Sequence, residues 1–265
     1  MIKKIVSGGQ TGADQAALDA VIKWNIPYGG WVPKGRRTEL GPLPNRYQLK
    51  EMPTDSYPER TEKNVIDSDG TLIITHGELT GESEYTLEMT KKHNRLYFHA
   101  DLNITSNFAT AQAIYSWIKE HNIESLNVAG SKASKDLHIY RAVMKILEIV
   151  FHLDLIESTM PDPSRAIPLN PRTIDEAVDA LIAELPLRNK TAIANLQDEE
   201  LIYLHPTIGR YIGDKFGLWH KNSELLKSCC SFMEVNSLNA DDASAIVITR
   251  LWRKLKETHT LRAVK

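Results

Sequence analysis

The stretch Ile2-Lys3-Lys4-Ile5-Val6-Ser7-Gly8-Gly9-Gln10-Thr11-Gly12-Ala13-Asp14 decides how the rest of the chain is read. Ile2, Ile5 and Val6 make a short apolar run of the kind buried in a parallel sheet, and it breaks into a loop carrying three glycines. Beyond the loop, Ala13, Ala16, Ala17, Ala20 and Val21 recur at helical spacing, which predicts a helix over residues 13–24. A strand, a glycine turn and a helix in that order aim the unpaired N–H groups and positive dipole end of the helix at the turn, where a phosphate or other oxyanion fits. The pattern Gly8-Gly9-Gln10-Thr11-Gly12 lacks the lysine of a P-loop and does not match G-x-G-x-x-G, so neither an NTPase nor a dinucleotide dehydrogenase follows from it. The same glycines also suit a plain tight strand-to-helix turn.

The 265 residues are 42% hydrophobic and 25% charged, enough for one large domain or two smaller ones, and two fits better. A formal net charge of -2 argues against broad attraction to nucleic acid or membrane surfaces. Nothing approaches the run of about 18 apolar residues that spans a bilayer. The N-terminus enters a strand without a signal-peptide pattern, so a cytoplasmic protein with no membrane partner is expected. Cys229 and Cys230 are sequence neighbours, too strained for a routine disulfide, and read as buried free thiols. No thiolate site is available in the first two thirds of the chain, and no metal is expected.

Outward from the glycine turn, residues 27–32 predict a second strand, and residues 33–58 form a long stretch rich in proline, glycine and charge. It carries Lys34, Arg36, Arg37 and Arg46 with Tyr47 and Tyr57, residue types that clamp a phosphate and stack on a planar ring, or simply make a solvated basic loop. A short helix at 60–65 leads to the apolar run 71–75 (TLIIT), the clearest central strand. A polar loop with Gly77, Thr80, Gly81 and Ser83 opens a helix over about 83–93. There follow a strand at 95–99, an amphipathic helix at 106–121 capped by Thr105 or Ser106 with Phe108, Ala111, Ile114, Tyr115 and Ile118 inward, and a last strand at 125–129. Gly130-Ser131-Lys132-Ala133-Ser134 is a third loop, before a helix over about 136–153. The repetition predicts an α/β fold, a doubly wound parallel sheet whose loops gather at the carboxyl ends of the strands, where ligands bind in such sheets.

Four prolines within residues 160–171 mark a linker over 156–172, and residues 173–265 read as a second, smaller, all-helical domain. Thr173-Ile174-Asp175-Glu176 has the form of a capping box for a helix to about 185. A second helix over 198–216 is interrupted at Pro206 and Gly209, and a third over about 240–257 places Ala245, Ile248, Leu251, Trp252 and Leu255 on one face. His205, Trp219 and His220 read as core residues rather than metal ligands.

Taken together and in order, residues 7–14 (SGGQTGAD), 30–37 (GWVPKGRR), 60–71 (RTEKNVIDSDGT) and 127–134 (NVAGSKAS) resemble the putative molybdenum carrier family. The resemblance covers about residues 1–150 and implies a Rossmann-like domain over 1–155, related to molybdenum cofactor carriers, Lonely Guy-type phosphoribohydrolases and the DNA-processing protein A family. It implies an anion loop of Gly8, Gly9, Gln10, Thr11 and Gly12, phosphate partners Arg36, Arg37 and Arg60, and a crevice completed by Gly77, Thr80, Gly81, Ser83 and Gly130. Asp14, Lys34, Asn64 and Ser131 lie within the matching motifs, and all four join the candidate ligand contacts. Two positions depart from the related patterns: Gly81-Glu82-Ser83 stands where a Gly-Gly-Thr or Gly-Thr turn is expected, adding a negative charge, and Gly130-Ser131-Lys132 stands where Gly-Pro-Arg is frequent. Residues from about 173 onward resemble a small helical domain with no assigned function.

Three functions compete. The first is a carrier of a phosphate-bearing pterin or nucleotide, the molybdenum cofactor being the cargo the resemblance implies; its metal is held by the pterin dithiolene, so no protein metal ligand is required. The second is a nucleoside monophosphate phosphoribohydrolase cleaving an N-glycosidic bond with a carboxylate from Glu82, Glu84 or Glu88, of which Glu84 and Glu88 are the catalytic candidates on one helix face, and an Arg from the basic loop. The third is a nucleotide-sensing regulatory module. The expected partner is a small phosphate-bearing ligand, with a homo-oligomer open and nucleic acid disfavoured by the net charge.

Overall fold

The structure is a computed structural model describing residues 2–159, 169–220 and 222–259. It divides into two compact units, Met1–Phe151 and His152–Lys265. In the first, strands β1 (Lys4–Val6), β2 (Tyr28–Gly29), β7 (Gly70–Thr75), β8 (Leu96–Asp101) and β9 (Ser125–Gly130) form one all-parallel sheet in the order β2-β1-β9-β7-β8. All six residues of β7 are buried, as an interior parallel strand covered on both faces requires. The last strand in sequence, β9, sits in the middle: Leu126 pairs with Ile5 on one side and Gly70 on the other.

The connecting helices bury one stripe each. Helix α1 (Ala13–Trp24) lays Ala16, Ala17, Ala20 and Val21 against β1 and β9. Small alanines allow that close approach. Helix α2 (Tyr57–Ile66) is capped by Ser56, whose Oγ accepts from the Glu59 N–H at 3.3 Å, and packs beside α3 (Glu82–Lys92), which lies on β7, β8 and β9. Helix α4 (Asn107–Glu120) is capped by Ser106 and buries Ala111, Ile114, Tyr115 and Ile118, with Phe108 only half buried. Helix α5 (Ile139–Thr159) continues into the interval read from sequence as linker; residues 160–168 of that interval lie outside the described residues.

The expected strand at 27–32 divides. Only β2 joins the main sheet, because Asn64 clamps the next residues: the Trp31 N–H donates to Asn64 Oδ1 at 2.8 Å and Asn64 Nδ2 donates to the Trp31 carbonyl at 3.2 Å. Strand β3 (Trp31–Val32) instead pairs with β6 (Lys50–Glu51), and between them lies a hairpin of β4 (Arg37–Thr38) and β5 (Gly41–Pro42). The long stretch 33–58 is therefore a packed excursion with its own small core of Leu18, Val32, Leu43, Tyr47 and Leu49. Tyr47 O–H donates to Asp19 at 3.0 Å, tying this core to α1.

The second unit is helical: α6 (Ile174–Glu184), α7 (Leu187–Ala194), short 3-10 and π turns over Asp198–Leu204 and His205–Gly209, α8 (Arg210–Lys215), α9 (Ser223–Met233) and α10 (Ala240–His259). Helix α10 supplies Val247, Ile248, Leu251 and Trp252 to a core with Val178, Leu181, Leu204, Ile212 and Phe216. The sequence reading missed α7 and α9, which are short and begin at Pro186 and the Asn222 cap. The capping box at α6 is offset: Thr173 Oγ1 accepts from the Glu176 N–H, but the Glu176 carboxylate accepts from Arg172 rather than Thr173. His205 is half buried, Trp219 is 43% exposed, and the His220 side chain lies outside the described residues. No helix among the described residues is long and apolar enough to cross a membrane.

Cys229 is buried and Cys230 half buried, both free, and burial pushes the Cys229 thiol up to about 11. A maleimide at neutral pH is therefore expected to label the folded chain at Cys230 alone, and both thiols after denaturation. Mass spectrometry of labelled peptides checks this, and equal labelling of the two in the folded chain would contradict the packing.

Candidate functional site

The three loops at the carboxyl ends of β1, β7 and β9 come from neighbouring strands and meet. Ser7 begins the first, its Oγ donating to the Val128 carbonyl at 3.0 Å and so pinning the loop to β9. At Gly12 the chain turns with φ 82° and ψ -123°, and the Ala13 N–H that opens α1 donates to the Ser131 carbonyl at 3.1 Å. A Cβ on Gly12 would lie 2.4 Å from that carbonyl oxygen and 2.7 Å from the Ala133 nitrogen. The first N–H of the helix is thus capped by the third loop.

Glu39, from the excursion, ties first and third loops together. Its carboxylate accepts from Thr11 Oγ1, from Ser134 Oγ and from the Ser134 N–H at 3.0 Å, while Gln10 Oε1 accepts from the Glu39 and Thr11 N–H groups. The small burial of Glu39 works against its charge, but the bonds from Ser134 and Thr11 outweigh it and hold its pKa below the usual carboxylate value.

Behind the loop lies a buried ion pair. Asp14, in the first turn of α1, and Arg60, from α2, approach to 3.5 Å between Oδ2 and Nη1, with both side chains 7% exposed. The guanidinium lies over Gly8, where a Cβ would come 1.8 Å from Nη1, so the glycine there makes room for arginine. Arg60 Nε is buried without a hydrogen-bond partner. Burial raises the Asp14 carboxyl to about 6; Arg60, the Gln10 N–H at 3.2 Å and Lys132 oppose that rise, and Glu82 adds to it. Lys132 pairs with Glu82 at 2.5 Å, and its Nζ stands 5.6 Å from the Tyr57 ring, which also faces Arg60 Cζ at 5.9 Å. On the β7 side, His76 Nδ1 bonds Asp136 at 2.6 Å, and Thr80 and Ser83 close on each other at the start of α3.

The circularly permutated YpsA SLOG family matches residues 5–151, which contain the parallel sheet but for Lys4 of β1 and every group just described. The chain belongs to the circularly permutated YpsA SLOG family. A crystal structure titled putative molybdenum carrier protein, from Syntrophus aciditrophicus SB, is 55% identical over 56% of this chain and 94% of its own, with a TM-score of 0.56. Residues 170–255 match a domain of unknown function, DUF6794. No curated protein matches.

Within the SLOG domain the predicted site residues separate. Gly8, Gly9, Gln10, Thr11, Gly12, Asp14, Arg60, Gly130 and Ser131 gather where the first and third loops meet, and Gly77, Thr80, Gly81 and Ser83 build the second loop beside them. Asn64 is committed to the Trp31 backbone. Arg36 donates to the carbonyls of Leu43, Pro44, Tyr47 and Leu49, holding the excursion in shape; Arg37 pairs with exposed Asp55, and Lys34 is exposed. Glu84 and Glu88 are exposed on α3. Glu39, His76 and Asp136 are not among the sequence candidates, and Lys132 stands there only as a departure from the Gly-Pro-Arg pattern. Lys132 had a signal, being the charged residue of a small-residue loop, whereas Glu39 had none. Among the described residues no group of three or more His, Cys, Asp or Glu could hold a metal ion.

Proposed function

We propose that the SLOG domain binds a small ligand through an oxyanion held by Arg60, in the manner of a carrier. The observation that carries this is Arg60 itself: a guanidinium buried under the glycine loop, with one N–H donor unpartnered and its carboxylate partner beyond good hydrogen-bond length. A buried arginine fork is the group suited to phosphate, and the Tyr57 ring adds a planar face beside it. The name of the related crystal structure favours molybdenum cofactor as cargo, a phosphate-bearing pterin that brings its own metal ligands; a nucleoside monophosphate is the other class this chemistry fits. Molybdenum cofactor or adenosine monophosphate at about 100 times Kd should stabilise the domain by about 2.7 kcal/mol, a rise in Tm of about 5–10 °C for a domain of this size. Arg60→Gln should abolish the shift. If neither ligand moves the wild-type Tm, the reading is wrong.

Asp14 favours one second reading. A carboxyl held near 6 beside an anion-holding arginine has the acidity of a general acid or base, so N-glycosidic cleavage would run through Asp14 rather than through Glu84 or Glu88. Free base released from a nucleoside monophosphate by wild type and not by Asp14→Asn would replace the carrier reading with this one.

A further inference from the structure

We propose that an oxyanion bound at Arg60 is taken up together with one proton, which resides on the Asp14 carboxyl in the complex. The proposal rests on the reading that Arg60 is the oxyanion holder, and it defines the ligand class further: an acidic group whose oxygen can accept a hydrogen bond from a neutral carboxyl.

The charges facing Asp14 come from every element around it. Arg60 of α2 lies 3.5 Å away, the Gln10 N–H of the first loop donates to its Oδ2, and Glu82 of α3 and Lys132 of the third loop act from further off. Glu82 and Lys132 pair with each other at 2.5 Å and largely cancel, so Asp14 and Arg60 form an isolated neutral couple. An anion entering this couple must share Arg60 with a carboxylate of its own sign. Two negative groups a few ångströms apart in a buried site do not both stay ionised; one takes a proton, as in paired carboxylates.

Asp14 is the group placed to take it. Its environment already favours the neutral form, since burial outweighs Arg60 and raises the carboxyl to about 6 in the free protein. When the anion claims the guanidinium, the largest opposing influence weakens and a like charge is added, and both changes push the Asp14 pKa higher. The balance is simple: ionised Asp14, one solvent proton and the ligand give neutral Asp14 and bound ligand, and the new O–H donates to the oxyanion instead of repelling it. Gly8 provides the space, since without a Cβ the guanidinium sits close over the loop where Asp14 and the anion converge.

Below about pH 6 Asp14 is protonated with or without ligand, and no proton is exchanged; above it the free protein must gain one on binding, so affinity falls towards tenfold per pH unit. The test is calorimetry of the full chain with sulfate, which has no titration of its own near neutrality, in buffers of different ionisation enthalpy at about pH 7.5. The expected slope of observed heat against buffer enthalpy is about one proton taken up per sulfate, and Asp14→Asn, which keeps the side-chain shape, should bind sulfate with a slope near zero and an affinity independent of pH. Sulfate binding to wild type with no proton uptake overturns the proposal while leaving Arg60 as the anion holder. An unchanged slope in Asp14→Asn also overturns it, by placing the proton elsewhere. Should that variant not fold, the wild-type slope and pH profile decide alone. If neither sulfate nor adenosine monophosphate binds wild type, the oxyanion reading of the site falls with it.

Discussion

Gly12→Ala is expected to destabilise the SLOG domain by about 2–6 kcal/mol, combining about 1–3 kcal/mol for a side chain at this backbone conformation with a similar amount for overpacking. The clash is with backbone and cannot be relieved by a rotamer change: the new Cβ would sit 2.4 Å from the Ser131 carbonyl and 2.7 Å from the Ala133 nitrogen. Moving the third loop away would also break the Ala13 N–H bond to Ser131, which caps α1, and the Ala133 N–H bond to Thr11. Gly35 separates the two contributions. Its φ is 77°, yet nothing lies closer to its Cβ position than Arg37 Cγ at 3.8 Å, so Gly35→Ala should cost only the strain, about 1–2 kcal/mol. Urea unfolding followed by hydrogen exchange at residues 70–75 reports on this domain and not on the helical unit. Equal losses in the two variants would show that the loop contact at Gly12 contributes nothing.

That prediction marks where reading the sequence stopped short. The glycine turn was legible as a strand-to-helix junction, and α1 falls on the residues its alanine spacing picked out. Strand β7 was legible because a parallel interior strand has to be apolar on both faces. What periodicity cannot carry is which strand sits beside which. The central place of β9 follows from packing over the whole sheet, and with it the fact that the carbonyl capping α1 comes from a residue remote in sequence. Among the basic residues, composition could not separate Arg60, buried at the loop, from Arg36, whose fork binds four carbonyls of its own excursion. The distinction lies in what each guanidinium meets after folding. The departures at Glu82 and Lys132 were legible singly but not as a pair; at 2.5 Å they neutralise each other, so the negative charge that Glu82 brings to the crevice is answered from the third loop.

Arg60→Gln is expected to cost the domain about 3 kcal/mol more at pH 8 than at pH 5. In wild type the folded Asp14 carboxyl is pushed up to about 6, above the ordinary aspartate range, because burial raises it further than Arg60 lowers it. Removing the guanidinium takes away the largest lowering influence, so the folded pKa in the variant lies higher still. Below about pH 6 Asp14 is protonated in both folded proteins, and its titration makes no difference between them. Above pH 6 wild type ionises against Arg60 while the variant keeps its proton, and the gap widens by about 1.4 kcal/mol per pH unit until the variant's own pKa is reached. At pH 5 wild type holds a buried arginine beside a neutral acid, so the variant loses little there, having shed an uncompensated charge. The double variant Asp14→Asn/Arg60→Gln puts two neutral amides in the same space, and it should recover most of the loss at pH 8 with a stability difference from wild type that no longer grows above pH 6. Urea unfolding of the three proteins at the two pH values decides it. A penalty for Arg60→Gln that is the same at both would mean that Asp14 does not sense Arg60, and the buried couple on which the anion site is built would be a matter of proximity alone.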